Sequence, residues 1–203
     1  MEIFLKENKK DINRQFIIIA GCAGSGKTTV GRALAKRLGY VYIDKDTVTR
    51  DFTDFILIRL GSSANDRESS LYKEEILPIE YKVTFNICRE ILENQNNVVL
   101  TIPFISQIND YSKWELIRSE AGIGRNIDVH FIWIKHDIDA EKRNIINRNA
   151  TRDGYKLKHW DEYANSVFEI EPDNKYEAYV YVNDCDTPPE ETIGEMINKW
   201  KHK

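Results

Sequence analysis

The 203-residue sequence predicts a three-layer α/β fold, a five-stranded parallel sheet with helices on both faces and a lid. Three observations carry that expectation. Short runs rich in β-branched and aromatic residues alternate with longer amphipathic stretches, which is the pattern of βαβ units. The first run enters a glycine-rich loop that opens directly into a helical pattern. No repeat, linker or low-complexity tract divides the chain, so residues 1–203 read as one domain.

The first run, Phe16-Ile17-Ile18-Ile19-Ala20, is apolar throughout, as expected of a strand buried on both faces. It leads into Gly21-Cys22-Ala23-Gly24-Ser25-Gly26-Lys27-Thr28-Thr29, which matches the phosphate-loop pattern G-x-x-x-x-G-K-[ST] at every fixed position. Val30, Leu34 and Leu38 then share one helix face, and Gly39 stands at the C-cap. Gly21, Gly24 and Gly26 let the backbone approach a polyphosphate closely. The amides from Ala23 through Ser25 to Thr28 and Thr29, with the helix N-terminus, face the anion. Lys27 reaches the β- and γ-phosphates, and the Thr28 hydroxyl ligates Mg²⁺. ATP and Mg²⁺ are therefore the expected ligands. The loop by itself leaves kinase, GTPase, motor and switch open.

Residues 40–43 read as the second strand, running into Asp44-Lys45-Asp46. Thr47 is the expected cap of a helix carrying Val48, Phe52, Phe55, Ile56 and Leu60. Residues 61–68 form a polar loop. A long helical stretch over 69–93 follows, with Ile76, Val83, Ile87 and Ile91 on its buried stripe and Pro78 as a break or kink. The third strand, 98–102, ends at Pro103. A helix over 111–120, a fourth strand over 129–134, helices over 139–149 and 159–168, and a fifth strand over 176–182 complete the alternation. Pro188 and Pro189 open a last helix with Ile193, Ile197 and Trp200 on one face.

Asp44 and Asp46 stand at the carboxyl end of the second strand, the side on which open parallel sheets bind ligands. Residues two apart in a strand face the same way, so both carboxylates are expected in one cleft. One of these carboxylates can hold Mg²⁺, directly or through water, and the other can accept the proton of an attacking hydroxyl. The third strand carries no carboxylate at its end, which weakens a motor or switch ATPase. Arg143, Arg148 and Arg152 form a basic lid over about 143–158. Lys27, Arg148 and Arg152 stabilise the transferring phosphoryl group, and Arg143 lies against the nucleobase. The acceptor is read between residues 50 and 81, where Arg50, Arg67, Tyr72 and Tyr81 are the candidate contacts.

The phosphate loop followed by Asp-x-Asp resembles the P-loop small-molecule kinases: shikimate, gluconate and adenylyl-sulfate kinases, close to the nucleoside monophosphate kinases. The resemblance implies strand order 2-3-1-4-5. It also implies that Asp44 helps bind Mg²⁺ and Asp46 contacts the acceptor hydroxyl. Residues 42–47, Pro103-Phe104 and residues 152–163 are also similar to bacterial proteins labelled AAA-family ATPase or kinase-like.

Composition bounds the alternatives. Net charge is −4 and the pI about 5.7, which disfavours a broad nucleic-acid surface. No apolar run approaches the ~18 residues of a membrane span. Cys22, Cys88 and Cys185 show neither disulfide nor metal spacing, as in a reducing cytoplasm, and His130, His136 and His202 show no zinc pattern. Residues 1–14 read as a polar leading segment. The expected activity is transfer of the γ-phosphoryl of Mg·ATP to a hydroxyl of a small molecule. A nucleoside monophosphate or polynucleotide 5′-kinase is the first alternative, and a nucleotide-binding regulatory ATPase module the second.

Overall fold

The computed structural model describes residues 13–136, 138–168, 170–183, 190–191, 193–194 and 196–197. Five strands form one parallel sheet: β1 (Arg14–Gly21), β2 (Val41–Asp44), β3 (Val98–Thr101), β4 (Ile127–His136) and β5 (Tyr179–Asn183), in the order β2-β3-β1-β4-β5. The order implied by the kinase resemblance is the observed one. β1 lies at the centre, with Ile18 in register with Leu100 of β3 and Phe131 of β4. The chain leaves β1 toward β2 on one side and later crosses to β4 on the other. The loop after β1 therefore sits where the winding reverses, the place at which such sheets hold ligands.

β1 is buried because both faces are covered. Phe16, Ile18 and Ala20 face a core rich in aromatic rings, with Phe85, Phe104, Trp114, Phe131 and Tyr176. Ile17 and Ile19 point the other way, against Val30 and Leu34 and against Ile193, Met196 and Ile197. Of the expected last helix, Ile193 and Ile197 are thus core residues, and Pro188, Pro189 and Trp200 lie outside the described residues.

Helix α1 (Lys27–Leu38) starts at Gly26 and ends at Gly39, both left-handed, and the Gly39 N–H donates to the Ala35 carbonyl. It lies close on the sheet at Gly31, where a Cβ would stand 2.4 Å from Thr101 Cγ2. Helix α2 (Lys45–Arg59) starts earlier than expected. Asp44, not Thr47, is its cap, and the Asp44 side chain accepts the Thr47 N–H.

The stretch after residue 70 is helical but changes pitch. Leu71–Ile76 forms a π-helical turn, closed by the Leu77 N–H on the Tyr72 carbonyl. It passes into α3 (Leu77–Glu93) with Pro78 in the first turn. The break or kink expected at Pro78 is a change of pitch, from the π-turn into α3, and in the first helical turn its missing N–H costs nothing. The buried stripe of α3 is Tyr81, Phe85, Cys88 and Leu92 rather than Val83, Ile87 and Ile91, and Val83 is exposed. Ile76 is buried as expected. Helix α2 likewise turns Phe52 and Phe55 outward and buries Lys45, Thr49, Thr53 and Leu57. Its polar residues are buried because Glu80 of α3 lies opposite and uses their hydrogen bonds.

Helices α4 (Tyr111–Glu120), α5 (Ile138–Arg148), α6 (Gly154–Lys158) and α7 (Trp160–Phe168) complete the layers. Tyr176 sits in a 3-10 turn ahead of β5 rather than in the strand.

Candidate active site

A cleft of about 970 Å³ opens along the carboxyl ends of β1, β2 and β3. The phosphate loop forms one wall. Gly24 has φ +77° and Gly26 φ +88°, and a Cβ on Gly26 would stand 2.5 Å from Asn183 Nδ2. A side chain at Gly26 would strain the backbone and displace the Asn183 amide. The loop is held from outside. Asn183 Nδ2, at the end of β5, donates to the Ser25 carbonyl at 2.8 Å, and Asn144 Nδ2 of α5 donates to the Gly24 carbonyl at 3.0 Å. Lys27 Nζ donates to the Cys22 carbonyl and lies 3.4 Å from Ser25 Oγ. Its ammonium is therefore curled over the loop it serves.

A cluster of oxygen donors is built on Asp44. Its Oδ1 accepts the Thr47 N–H (2.9 Å) and hydroxyl (3.1 Å). Its Oδ2 accepts the hydroxyls of Thr28 (3.3 Å), Tyr42 (3.3 Å) and Thr101 (2.8 Å). Burial and the Asp44 charge hold the Tyr42 phenol above its ordinary range, so it remains a donor. Thr28, Asp44 and Thr101 bring hard oxygen donors to one point, as Mg²⁺ requires. Among the described residues no three His, Cys, Asp or Glu side chains gather as a metal cage.

Asp46 is not on the strand. Because Asp44 already caps the helix, Asp46 falls in the first turn of α2, where it lines the cleft 3.2 Å from Lys45 Nζ. The two carboxylates still open on one cleft, but through the cap turn rather than through strand alternation. Below them lies a buried polar cluster. Glu80, 4% exposed, accepts Lys45 Nζ (2.5 Å) and the Tyr72 hydroxyl (2.8 Å) on Oε2, and the hydroxyls of Thr49 (3.1 Å) and Thr53 (2.5 Å) on Oε1. Burial, then the Glu80 charge, drives the Tyr72 phenol far above its usual range. Glu80→Ala should remove the buried partner of the Lys45 ammonium and leave it the half-exposed Asp46. We expect a loss of about 3 kcal/mol in unfolding free energy by urea titration, since breaking a buried pair leaves a poorly compensated charge.

The expected acceptor contacts do line the cleft: Arg50, Arg67, Tyr72 and Tyr81. Arg67 is anchored, with Nη2 2.6 Å from Asp54 Oδ1 and its guanidinium over the Tyr72 ring. Tyr81 turns its oxygen inward to accept the Phe104 N–H at 3.1 Å. Arg143 is exposed on α5 and does not line the cleft. The side chains of Arg148 and Arg152 lie outside the described residues. On the lid side the cleft is lined instead by Lys156 and Tyr163. Lys156 lies over the Tyr163 ring and 3.9 Å from Glu68, so α6 reaches across to the loop before α3. Tyr163 donates to the buried Glu141 at 2.5 Å.

Comparison with known proteins places these features. A family model described as an AAA domain matches residues 16–169. The chain belongs to this family. It is 25% identical over 186 residues to threonine synthase-like 1 of Macaca fascicularis, covering 91% of this chain and 22% of that protein. It is 33% identical over 99 residues to cytidylate kinase of Mycoplasmoides gallisepticum, covering 48% and 41%. The chain thus spans less than half the length of these curated relatives. In structure it is similar to a sugar kinase from Janibacter sp. HTCC2649, with a TM-score of 0.59, 16% identity, and 92% and 93% of the two chains covered. The fold is that of the P-loop small-molecule kinases. No helix among the described residues is long and apolar enough to cross a membrane.

Several residues of this AAA-domain protein's site escaped the sequence. Asn183 and Asn144 show no motif, although Asn183 ends the fifth strand on the ligand-binding side. Glu80 and Lys45 are 35 positions apart and meet only because α2 and α3 lie together. Cys22, by contrast, is the inert loop residue that its small size suggests. Burial, with the nearby Glu141 charge, pushes its thiol up to about 12. Iodoacetamide at pH 8 should leave the Cys22 peptide unmodified in the folded protein, as read by mass spectrometry. Rapid native-state labelling there would overturn the assignment.

Proposed function

We propose that this protein transfers the γ-phosphoryl group of Mg·ATP to a hydroxyl of a small molecule. One observation carries the reading: the loop bearing Lys27 and Thr28 and the acidic turn bearing Asp44 and Asp46 line the same cleft. Nucleotide held by one wall is thereby set against a proton acceptor on the other, which is the arrangement phosphoryl transfer needs.

In this reading the amides of residues 21–29 cradle the phosphates, and Lys27 turns from the loop carbonyl to the β- and γ-oxygens. Thr28 and Asp44 hold Mg²⁺, which when bound neutralises charge on those oxygens. Asp46 orients the acceptor hydroxyl and takes its proton as the oxygen bonds to phosphorus and the bond to ADP breaks. Arg148 and Arg152 supply positive charge to the transferring group, and Arg143 meets the nucleobase. Arg50, Arg67, Tyr72 and Tyr81 shape the acceptor site. The cysteine usage fits a cytoplasmic enzyme.

The test is ADP release from Mg·ATP across sugars, nucleosides, antibiotics, nucleoside monophosphates and short oligonucleotides. A hydroxyl acceptor that raises turnover well above the acceptor-free rate supports the reading. A response confined to nucleoside monophosphates would replace it with the activity named for the cytidylate kinase relative. A flat panel over slow hydrolysis, despite tight nucleotide binding, would favour a regulatory module.

A further inference from the structure

The acidic turn contains a third charged residue that the phosphotransfer scheme leaves without work. Lys45 stands between Asp44 and Asp46, lines the cleft, and is only 3% exposed. A long ammonium side chain at a cleft edge ordinarily reaches for solvent. This one is drawn inward. Its Nζ meets Glu80 Oε2 at 2.5 Å and Asp46 Oδ1 at 3.2 Å. Glu80 in turn has both oxygens occupied: Tyr72 shares Oε2 with Lys45, and Thr49 and Thr53 share Oε1.

A buried ion pair of this kind is a poor source of stability, because desolvating two charges offsets most of their attraction. What a fully hydrogen-bonded pair does provide is direction. The Glu80 carboxylate cannot turn without breaking hydrogen bonds to α2 and to the π-turn, so Lys45 Nζ has one place to be. Asp46, 35% exposed, lies on the cleft side of that ammonium. The ammonium bridges the buried carboxylate to the half-exposed one.

We propose that Lys45, held by Glu80, is a positioning residue that fixes the Asp46 carboxylate where it lines the cleft. The proposal deepens the phosphotransferase reading, since Asp46 is the proton acceptor in it. In the proposed scheme Lys45 transfers no proton itself; it acts through Asp46. The residues of the cluster come from α2, the π-turn and α3, so the acceptor-side helices are coupled to the geometry of the base.

The experiment uses the full chain and the paired variant Lys45→Met with Glu80→Gln, which removes the bridge without leaving a buried charge unpaired. On the best acceptor from the panel, kcat should fall on the order of 100-fold, as expected for a misplaced catalytic group. The Kd for Mg·ATP should stay within about twofold, because the phosphate loop is untouched. Adding Asp46→Asn to the pair should produce no further loss beyond Asp46→Asn alone, the signature of residues acting as one unit. Wild-type kcat in the paired variant, or losses that multiply in the triple variant, would overturn the proposal. Lys45→Arg is the second variant. It keeps the charge against Glu80 but not the point geometry, and should lower kcat at least about tenfold.

Crystal structures of the wild type and the paired variant decide the point without turnover. Asp46 should keep one rotamer in the former and leave it in the latter; one unchanged rotamer in both would overturn the proposal. If no acceptor is turned over, the phosphotransferase reading falls, and the rotamer comparison still decides what Lys45 does.

Discussion

Lys27→Ala should abolish acceptor-dependent turnover while leaving the protein folded. Lys27 is only half-buried at the start of α1, where it reaches the Cys22 carbonyl and Ser25 Oγ of its own loop. Alanine is a good residue for a first helical turn, so stability should change little. The nucleotide site loses much more. A hydrogen bond to a charged partner contributes about 1.5–3 kcal/mol, so Mg·ATP affinity should fall by on the order of 10- to 100-fold. The same ammonium faces the charge that develops on the transferring group, and removing one such donor costs roughly 10²–10³ in kcat. Isothermal titration with ATP and a coupled ADP assay measure the two losses separately. Wild-type turnover in Lys27→Ala would remove the phosphate loop from the active site.

The Asp46→Asn result should be the mirror image. The substitution keeps size and hydrogen-bonding shape and removes the ability to take a proton. Nucleotide Kd should move by no more than about twofold, because Asp46 belongs to α2 and not to the phosphate loop. Acceptor-dependent kcat should fall by on the order of 10²–10⁴, the usual contribution of a general base. Unchanged turnover would exclude Asp46 from proton transfer. A loss confined to acceptor KM would assign it to binding alone. Asp44→Asn separates the two carboxylates. It weakens the Thr47 cap as well as the cluster of oxygen donors, so Mg²⁺ dependence and thermal stability should shift together.

These expectations rest on features of unequal visibility. The phosphate loop was legible because its glycines, lysine and threonine are spaced locally, and strand and helix flank it in the same short stretch. Strand count and alternation were legible for the same reason, since each β run carries its own periodicity. The parts that went astray depend on what lies opposite. The buried stripe of α3 follows Tyr81, Phe85, Cys88 and Leu92 because the rings of Phe16, Phe104 and Trp114 face it. Isoleucine and valine alone suggested a neighbouring face. Thr47 has a better-looking sequence position for a cap, yet Asp44 does that work, because its Oδ1 reaches the Thr47 N–H as β2 turns directly into α2.

What the sequence by itself determined is therefore the class of fold, the nucleotide-binding loop, and the presence of two carboxylates where the second strand ends. Short-range spacing encodes all three. Only the tertiary structure decided that Asn144 and Asn183 tie down the loop, that Lys156 and Tyr163 line the lid side of the cleft, and that Glu80 anchors Lys45 beneath Asp46. Those contacts join residues from 35 to 158 positions apart. Each partner is ordinary in its own segment, and its chemistry appears only when packing removes water from between the two.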